Sequence, residues 1–409
     1  MAPPEPTIYR ESTESPIGCE VTSRSWTIWE TPLESCSRQM SRRITRFMIR
    51  LLIPIALISM LAQAAQAPRG LTPLDSRKPI VLYEEGLDTS GLTGLSKLGA
   101  ERYFIVYQNN VDTNAQKTGL IDPAAVARSV AKSQGDTPQG WGVLDFEDPF
   151  DKWMQTNPTS EQTTAAVQSM VETIRVMKKA FPGVRWTYYG MPGLLYYLPD
   201  GDWSTATQST KDAEIRRQLA VYGPVLSECD WLAPCVYYTV GDEKQGKRPS
   251  PSIRVATRAW IRARTEMCVQ FAAKLGKKIP VIPFASPLYM PGGGARAFSV
   301  IASDILDEDV LAPVSLAGAT GVCMWTGATN FIAIATGERP GETMTEGGGK
   351  VALMKTWSED LNVPVKDLAG ELGRERLTRM ISQAQVSMAT AVTRRWSESI
   401  DAPPVKSPQ

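Results

Sequence analysis

The 409-residue chain contains no histidine. That absence excludes serine and cysteine nucleophiles activated by histidine, and it excludes histidine-ligated zinc. A general acid working near neutral pH must then be a carboxyl group raised by burial or by a neighbouring charge, or else a tyrosine, lysine or cysteine. An excess of charge is also missing. Seven of the 44 Lys+Arg and six of the 43 Asp+Glu fall within residues 1–67, which leaves 37 of each in the rest of the chain. A neutral chain has no global field to draw in nucleic acid or acidic membranes, so neither is expected as a partner.

Cysteine is scarce. Of six, four lie beyond residue 67: Cys229, Cys235, Cys268 and Cys323. Four cysteines allow three pairings and the sequence selects none of them; simple buried thiols are an equal expectation. The spacing of Cys229 and Cys235 fits neither a redox C-x-x-C nor a zinc pair.

Long hydrophobic runs are absent except for Phe47 to Leu61, which carries only Arg50 as a charge. It follows the basic segment Ser41-Arg42-Arg43-Ile44-Thr45-Arg46 and precedes the small residues Ala62 to Ala67. That order of basic, apolar and A-x-A elements is expected of a secretory signal peptide over 40–67, cut after Ala64. The run is short for a membrane anchor, so stable insertion of the mature chain is not expected. Residues 1–39 are polar and rich in Ser, Glu and Pro, and are read as disordered or as a misplaced start.

Beyond residue 67 short apolar runs alternate with amphipathic stretches, the pattern of a β/α fold with a parallel sheet. Candidate strands are 79–83, 102–108, 141–146, 184–189, 231–238, 279–283 and 321–325. Seven strands point to an α/β, TIM-like (β/α) barrel forming a single domain over 68–409. Helix starts are readable at Asp122-Pro123, at Thr159 or Ser160, and at Pro251-Ser252, and two helices near 350–361 and 365–396 close the chain. Longer irregular segments are expected at 109–119, 148–158, 196–209, 240–250, 286–297 and 327–345. On a barrel such loops build substrate sites. The glycine runs at 292–294 and 347–349 lack the pattern of a phosphate cradle and are read as loops.

The candidate chemistry sits where Trp141-Gly142-Val143-Leu144 ends in Asp145-Phe146-Glu147. Side chains alternate along a strand, so residues two apart face the same way and the two acids form a pair. At the C-terminal end of a barrel strand such a pair suits hydrolysis of a glycosidic bond. Two ionised acids on one face repel, so one of them is expected to hold its proton to higher pH. Aromatic groups at other strand ends supply faces for sugar rings: Trp186 to Pro192, Leu232 to Tyr237 and Gly321 to Trp325. Glu84-Glu85 and Asp242-Glu243, also after strands, are read as loop charges facing water.

In these ordered motifs the chain resembles the hyaluronidase family, glycoside hydrolase family 56. The counterparts are Gly142 to Glu147, Trp186 to Pro192, Leu232 to Tyr237, and Trp325 with Gly327. The resemblance implies a distorted seven-stranded barrel and substrate-assisted, retaining hydrolysis next to an N-acetylhexosamine in a polysaccharide or glycosaminoglycan-type substrate. It implies that Glu147 is the general acid and then the base, that Asp145 with Tyr189 and Tyr237 holds the acetamido group, and that Trp325 lies under the sugar. No metal or other cofactor is called for. The chain departs from the family where Glu147 is followed by Asp148-Pro149-Phe150-Asp151-Lys152-Trp153, without the arginine that suits an acidic glycan. The alternatives are a chitinase-like barrel, whose two further upstream aspartates are here Gly140 and Val143, and a catalytically silent barrel that binds glycans.

Overall fold

The structure, a computed structural model, describes residues 71, 74–75, 78–84, 87–111, 120–147, 149–156, 158–191, 205–238, 249–290, 297–338 and 349–401. The chain divides into two units, 1–67 and 68–409. The expected leader and the polar segment before it lie outside the described residues, as do the two glycine runs apart from Gly349, and Asp242-Glu243.

Among the described residues six parallel strands form the sheet: β1 (Ile80–Tyr83), β2 (Glu101–Tyr107), β3 (Gly140–Asp145), β4 (Val184–Tyr188), β5 (Phe284–Ala285) and β6 (Gly321–Met324). Their order is β4-β3-β2-β1-β6-β5, with helices between them. This is a TIM-like α/β arrangement. The fifth of the seven expected strands, 231–238, does not form a ladder. It makes single parallel bridges instead, Tyr189 to Ala233 on the β4 side and Leu232 to Val281 and Cys235 to Phe284 on the β5 side.

Proline explains the interruption. Pro234, Pro280 and Pro283 have no N–H to give, so continuous pairing is broken there. Their carbonyls still accept: Leu232 N–H donates to Pro280 O at 2.9 Å, Phe284 N–H to Pro234 O at 2.8 Å and Cys323 N–H to Pro283 O at 2.9 Å. The same cause moves the sixth expected strand from 279–283 to the two residues Phe284–Ala285.

Several helices are bounded by local chemistry. Ser160 Oγ accepts from Thr163 N–H at 3.0 Å to cap the helix Glu161–Ala180, and Asp122 caps Pro123–Gln134 through Ala124 N–H at 2.9 Å. Such caps contribute about 1 kcal/mol each. Glu161–Ala180 turns Ala166, Met170, Ile174 and Met177 inward, where they pack with Trp186 and Tyr188 of β4. The helix Pro251–Lys274 is capped by Ser250, and the final helix runs Gly370–Asp401 after a 3₁₀ turn at Val365–Leu368. The break falls at Gly370, whose φ of 71° is in the left-handed region. The helix Gln208–Leu226 begins at the end of the irregular segment expected at 196–209, and Ala328–Thr336 is helical where an irregular segment was expected. Among the described residues no helix is long and apolar enough to cross a membrane.

Alternation sorts the strand residues into two layers. Ile80 and Leu82 of β1, Tyr103 of β2, Trp141 and Val143 of β3, Trp231, Ala233, Ile282, Phe284 and Cys323 of β6 make one cluster. The intervening residues Val81, Phe104, Leu144, Trp186 and Val322 pack in clusters that include helix residues. The first cluster is stiffened by edge-to-face contacts of Trp141 with Trp231 at 5.6 Å and of Tyr103 with Phe284 at 5.6 Å. At Gly142 an added Cβ would come within 2.6 Å of the Trp186 ring, its neighbour across β3 and β4. The absence of a side chain there is what lets the indole lie against the strand.

Candidate active site

The inner rows of the sheet, continued two residues at a time past the strand ends, arrive at the candidate residues. On β3 the row Trp141, Val143 continues to Asp145 and Glu147, while Phe146 turns outward against Phe150 and Tyr188. On β4 it reaches Tyr189, on the bridging segment Cys235 and Tyr237, and on β6 Trp325. The same rule brings in two residues that the sequence reading did not single out as part of the site. Ile80 and Leu82 lead to Glu84, and Tyr103 and Ile105 lead to Tyr107.

These side chains touch in sequence around the mouth. Tyr189 Oη donates to Tyr237 Oη at 3.3 Å. The Tyr237 ring lies 5.6 Å from that of Trp325, tilted by 34°. Trp325 Nε1 donates to Tyr107 Oη at 3.4 Å, and Tyr107 Oη donates to Glu84 Oε1 at 3.0 Å. Tyr107 is in register with Asp145 across β2 and β3. Below, the Tyr189 ring meets Phe284 edge-on at 5.0 Å, which gives the mouth an aromatic floor.

Asp145 is half-buried at the end of its strand and Glu147 is exposed. Both influence the thiol of Cys235, which burial foremost pushes up to about 12 and which the two carboxylates raise further. Burial also holds the Tyr107 and Tyr189 phenols above their ordinary range; Asp145 adds to the first and Glu147 to the second. Tyr237 is raised by burial and by Tyr189. All three phenols therefore stay protonated near neutral pH and act as hydrogen-bond donors.

Glu84 corrects the expectation of a charge facing water. It is half-buried, bonded to Tyr107, and burial lifts its pKa to about 7, although Tyr107 and Arg102 pull it downward. A carboxyl group held to higher pH thus stands in the mouth on β1. The four cysteines beyond residue 67 are free thiols, with Cys229, Cys268 and Cys323 buried, which agrees with the simpler of the two expectations. Among the described residues no group of three or more Cys, Asp or Glu is arranged to hold a metal ion.

Gly327, expected to follow the site tryptophan, has a left-handed φ of 59° and opens the helix Ala328–Thr336. A Cβ there would meet the Phe331 ring at 2.6 Å and the Trp325 indole at 3.1 Å. Pro192 of the resemblance lies outside the described residues. At the opposite end of the sheet a cavity of about 920 Å³ is lined by Pro79, Glu101, Gly140, Gly183 and Arg185. It lies at the strand starts and contains none of the predicted site residues.

The fold and this mouth define an α/β protein with a parallel sheet whose C-terminal strand ends gather carboxyl and aromatic groups. No family model matches the chain, and no curated protein matches it. Among solved structures it is similar to the monoclinic crystal structure of bee venom hyaluronidase, at 15% identity and a TM-score of 0.43, over 73% of this chain and 100% of that one. It is likewise similar to bee venom hyaluronidase in complex with a hyaluronic acid tetramer, at 16% identity and a TM-score of 0.44, over 74% and 99% of the two chains. The likeness is distant.

Proposed function

We propose that the protein is a glycoside hydrolase that cleaves a glycan next to an N-acetylhexosamine, using the substrate's own acetamido group as nucleophile. One observation carries the reading: Asp145, the last residue of β3, and Glu147, two residues on, both act on the Cys235 thiol, and Glu147 also acts on Tyr189, which is hydrogen-bonded to Tyr237. Acids placed so cannot flank a sugar ring from opposite faces, as an enzyme nucleophile and a separate acid would. They can serve one face together. In the first step Glu147 gives its proton to the leaving glycosidic oxygen while the acetamido carbonyl oxygen bonds to the anomeric carbon. The oxazolinium-like product carries positive charge, which ionised Asp145 stabilises through the acetamido N–H. In the second step water attacks the same carbon and gives its proton to Glu147 while the bond from that carbon to the acetamido oxygen breaks, which restores the acetamide, the configuration and the enzyme.

The tyrosines have distinct parts in this scheme. Because Tyr189 donates to Tyr237, the Tyr237 proton is left to point toward the acetamido oxygen. Trp325 offers an aromatic face for the sugar. The reading includes export, supported by the basic, apolar and small-residue order over 40–67; N-terminal sequencing of exported protein is then expected to begin near Ala65, and recovery of intact protein beginning at Met1 in the cytoplasm would refute export.

A reducing-end assay across hyaluronan, chondroitin, chitin oligomers and peptidoglycan fragments tests the activity. Release of new ends from at least one of them, lost in Glu147→Gln, is the expected result. Binding without cleavage would instead make the protein a silent glycan receptor.

A further inference from the structure

We propose that Glu84 is a positioning residue of this mouth, acting through Tyr107 to fix the indole of Trp325 and so coupling the hold on the sugar to its own protonation. The proposal rests on the reading of the mouth as a glycan site. Its geometric basis is a chain of two hydrogen bonds joining three strand ends. Trp325 Nε1 donates to Tyr107 Oη at 3.4 Å, and Tyr107 Oη donates to Glu84 Oε1 at 3.0 Å.

A phenol has one proton and Tyr107 spends it on Glu84, so the lone pairs of its oxygen face the indole. When Glu84 is ionised the first bond is charge-assisted and shifts electron density onto the Tyr107 oxygen, which makes that oxygen a better acceptor for the indole N–H. When Glu84 is neutral both bonds weaken. Trp325 in turn packs against Tyr237, so its order bears on the tyrosine proposed to bind the acetamide. The platform is therefore best held with Glu84 charged.

Other titratable and charged groups also face Glu84. On β2 they are Arg102, Tyr103 and Tyr107, and on β6 Cys323; Asp145 of β3 acts on Tyr107. Burial holds the protons of Tyr103, Tyr107 and Cys323 well above neutral pH, and arginine stays charged. Burial lifts the Glu84 pKa to about 7, so this carboxyl changes charge between pH 6 and 8.

The test uses the full chain with ¹⁵N-indole tryptophan, the Trp325 resonance being assigned by its loss in Trp325→Phe. In the wild type that resonance is expected to titrate with a midpoint near pH 7, and in Glu84→Gln and Tyr107→Phe to be flat. Circular dichroism confirms folding, and should Glu84→Gln not fold, Tyr107→Phe carries the same comparison. A second arm measures binding of an N-acetylglucosamine oligomer by calorimetry. Wild-type affinity is expected to rise about 5-fold from pH 6 to pH 8, the effect of strengthening one hydrogen bond, and affinity in Glu84→Gln is expected to be independent of pH. A Trp325 titration that persists in Glu84→Gln, or binding with the same pH profile in the variant, overturns the positioning role while the glycan site stands. A wild type whose Trp325 titrates as expected but which neither binds nor cleaves any glycan overturns the function and keeps the hydrogen-bond chain.

Discussion

Tyr189 donates its hydroxyl proton to the Tyr237 oxygen at 3.3 Å, which makes the two phenols unequal. In the proposed mechanism Tyr237 keeps a proton for the acetamido oxygen, and Tyr189 acts by polarising Tyr237. Tyr237→Phe is therefore expected to lower kcat/KM by about 10²-fold, the loss of one donor to a developing charge. Tyr189→Phe, which leaves that donor in place, is expected to cost about 10-fold. Steady-state kinetics on the best glycan decide it, and equal losses would show that both phenols contact substrate.

Packing beneath the site gives a second expectation. Gly142 has no space for a Cβ, because the Trp186 ring would stand 2.6 Å away, and Trp186 is fully buried. Gly142→Ala forces the indole or the strand to shift and is expected to destabilise the fold by about 1–3 kcal/mol. Urea denaturation measures this as a lower midpoint with an unchanged slope. A variant as stable as the wild type would mean that β4 can move away from β3 at little cost.

The pKa of Glu84 predicts how stability varies with pH. Its carboxyl rises from an ordinary 4.5 to about 7 on folding, so the folded chain binds the proton more tightly than the unfolded chain does. The contribution to stability is full below about pH 4.5, is lost as pH rises toward 7, and is level above that. The amplitude is on the order of 1–3 kcal/mol, discounted for the group's residual exposure. Glu84→Gln removes this component, so the variant is expected to lose less stability than the wild type between pH 5 and pH 8. Parallel denaturation curves at the two pH values check it; identical losses would place the Glu84 pKa near its ordinary value.

Much of this was readable in the sequence because it rests on short-range rules. The runs expected at 79–83, 102–108 and 141–146 became β1 to β3, each to within a residue or two, and Ser160 and Asp122 cap helices as their types and positions indicate. What escaped depends on partners far along the chain. Trp231 to Tyr238 carries strand-like residues, yet Pro234 within it and Pro280 and Pro283 across from it break the ladder. Glu84 lay two residues beyond Leu82 on the same row, so alternation alone could have placed it inward. Its hydrogen bond to Tyr107, however, is a tertiary contact that no local pattern reveals. The helix Gln208–Leu226 was hidden by Pro224 inside it and by buried polar residues, Glu214 and Gln218, on its inner face.

The placement of Asp145 and Glu147 separates two mechanisms. If the acetamido oxygen attacks, Glu147→Gln is expected to lower turnover by about 10²- to 10⁴-fold, since the amide keeps the shape but has no proton to transfer. Asp145→Asn is expected to slow the first step, and a substrate bearing a free amine or a simple hydroxyl in place of the acetamide is expected to be cleaved poorly by every form of the protein. If Asp145 itself attacked carbon, a fluorinated sugar would instead leave a glycosyl ester on Asp145. Alternation disfavours that course, because residues two apart face the same way, and Phe146 between the two acids is turned into the outer layer. A nucleophile and an acid must reach opposite sides of the scissile bond. Intact-mass and peptide mass spectrometry after incubation with the fluorinated sugar is expected to find Asp145 unmodified, and a sugar attached there would replace the substrate-assisted mechanism with a covalent one.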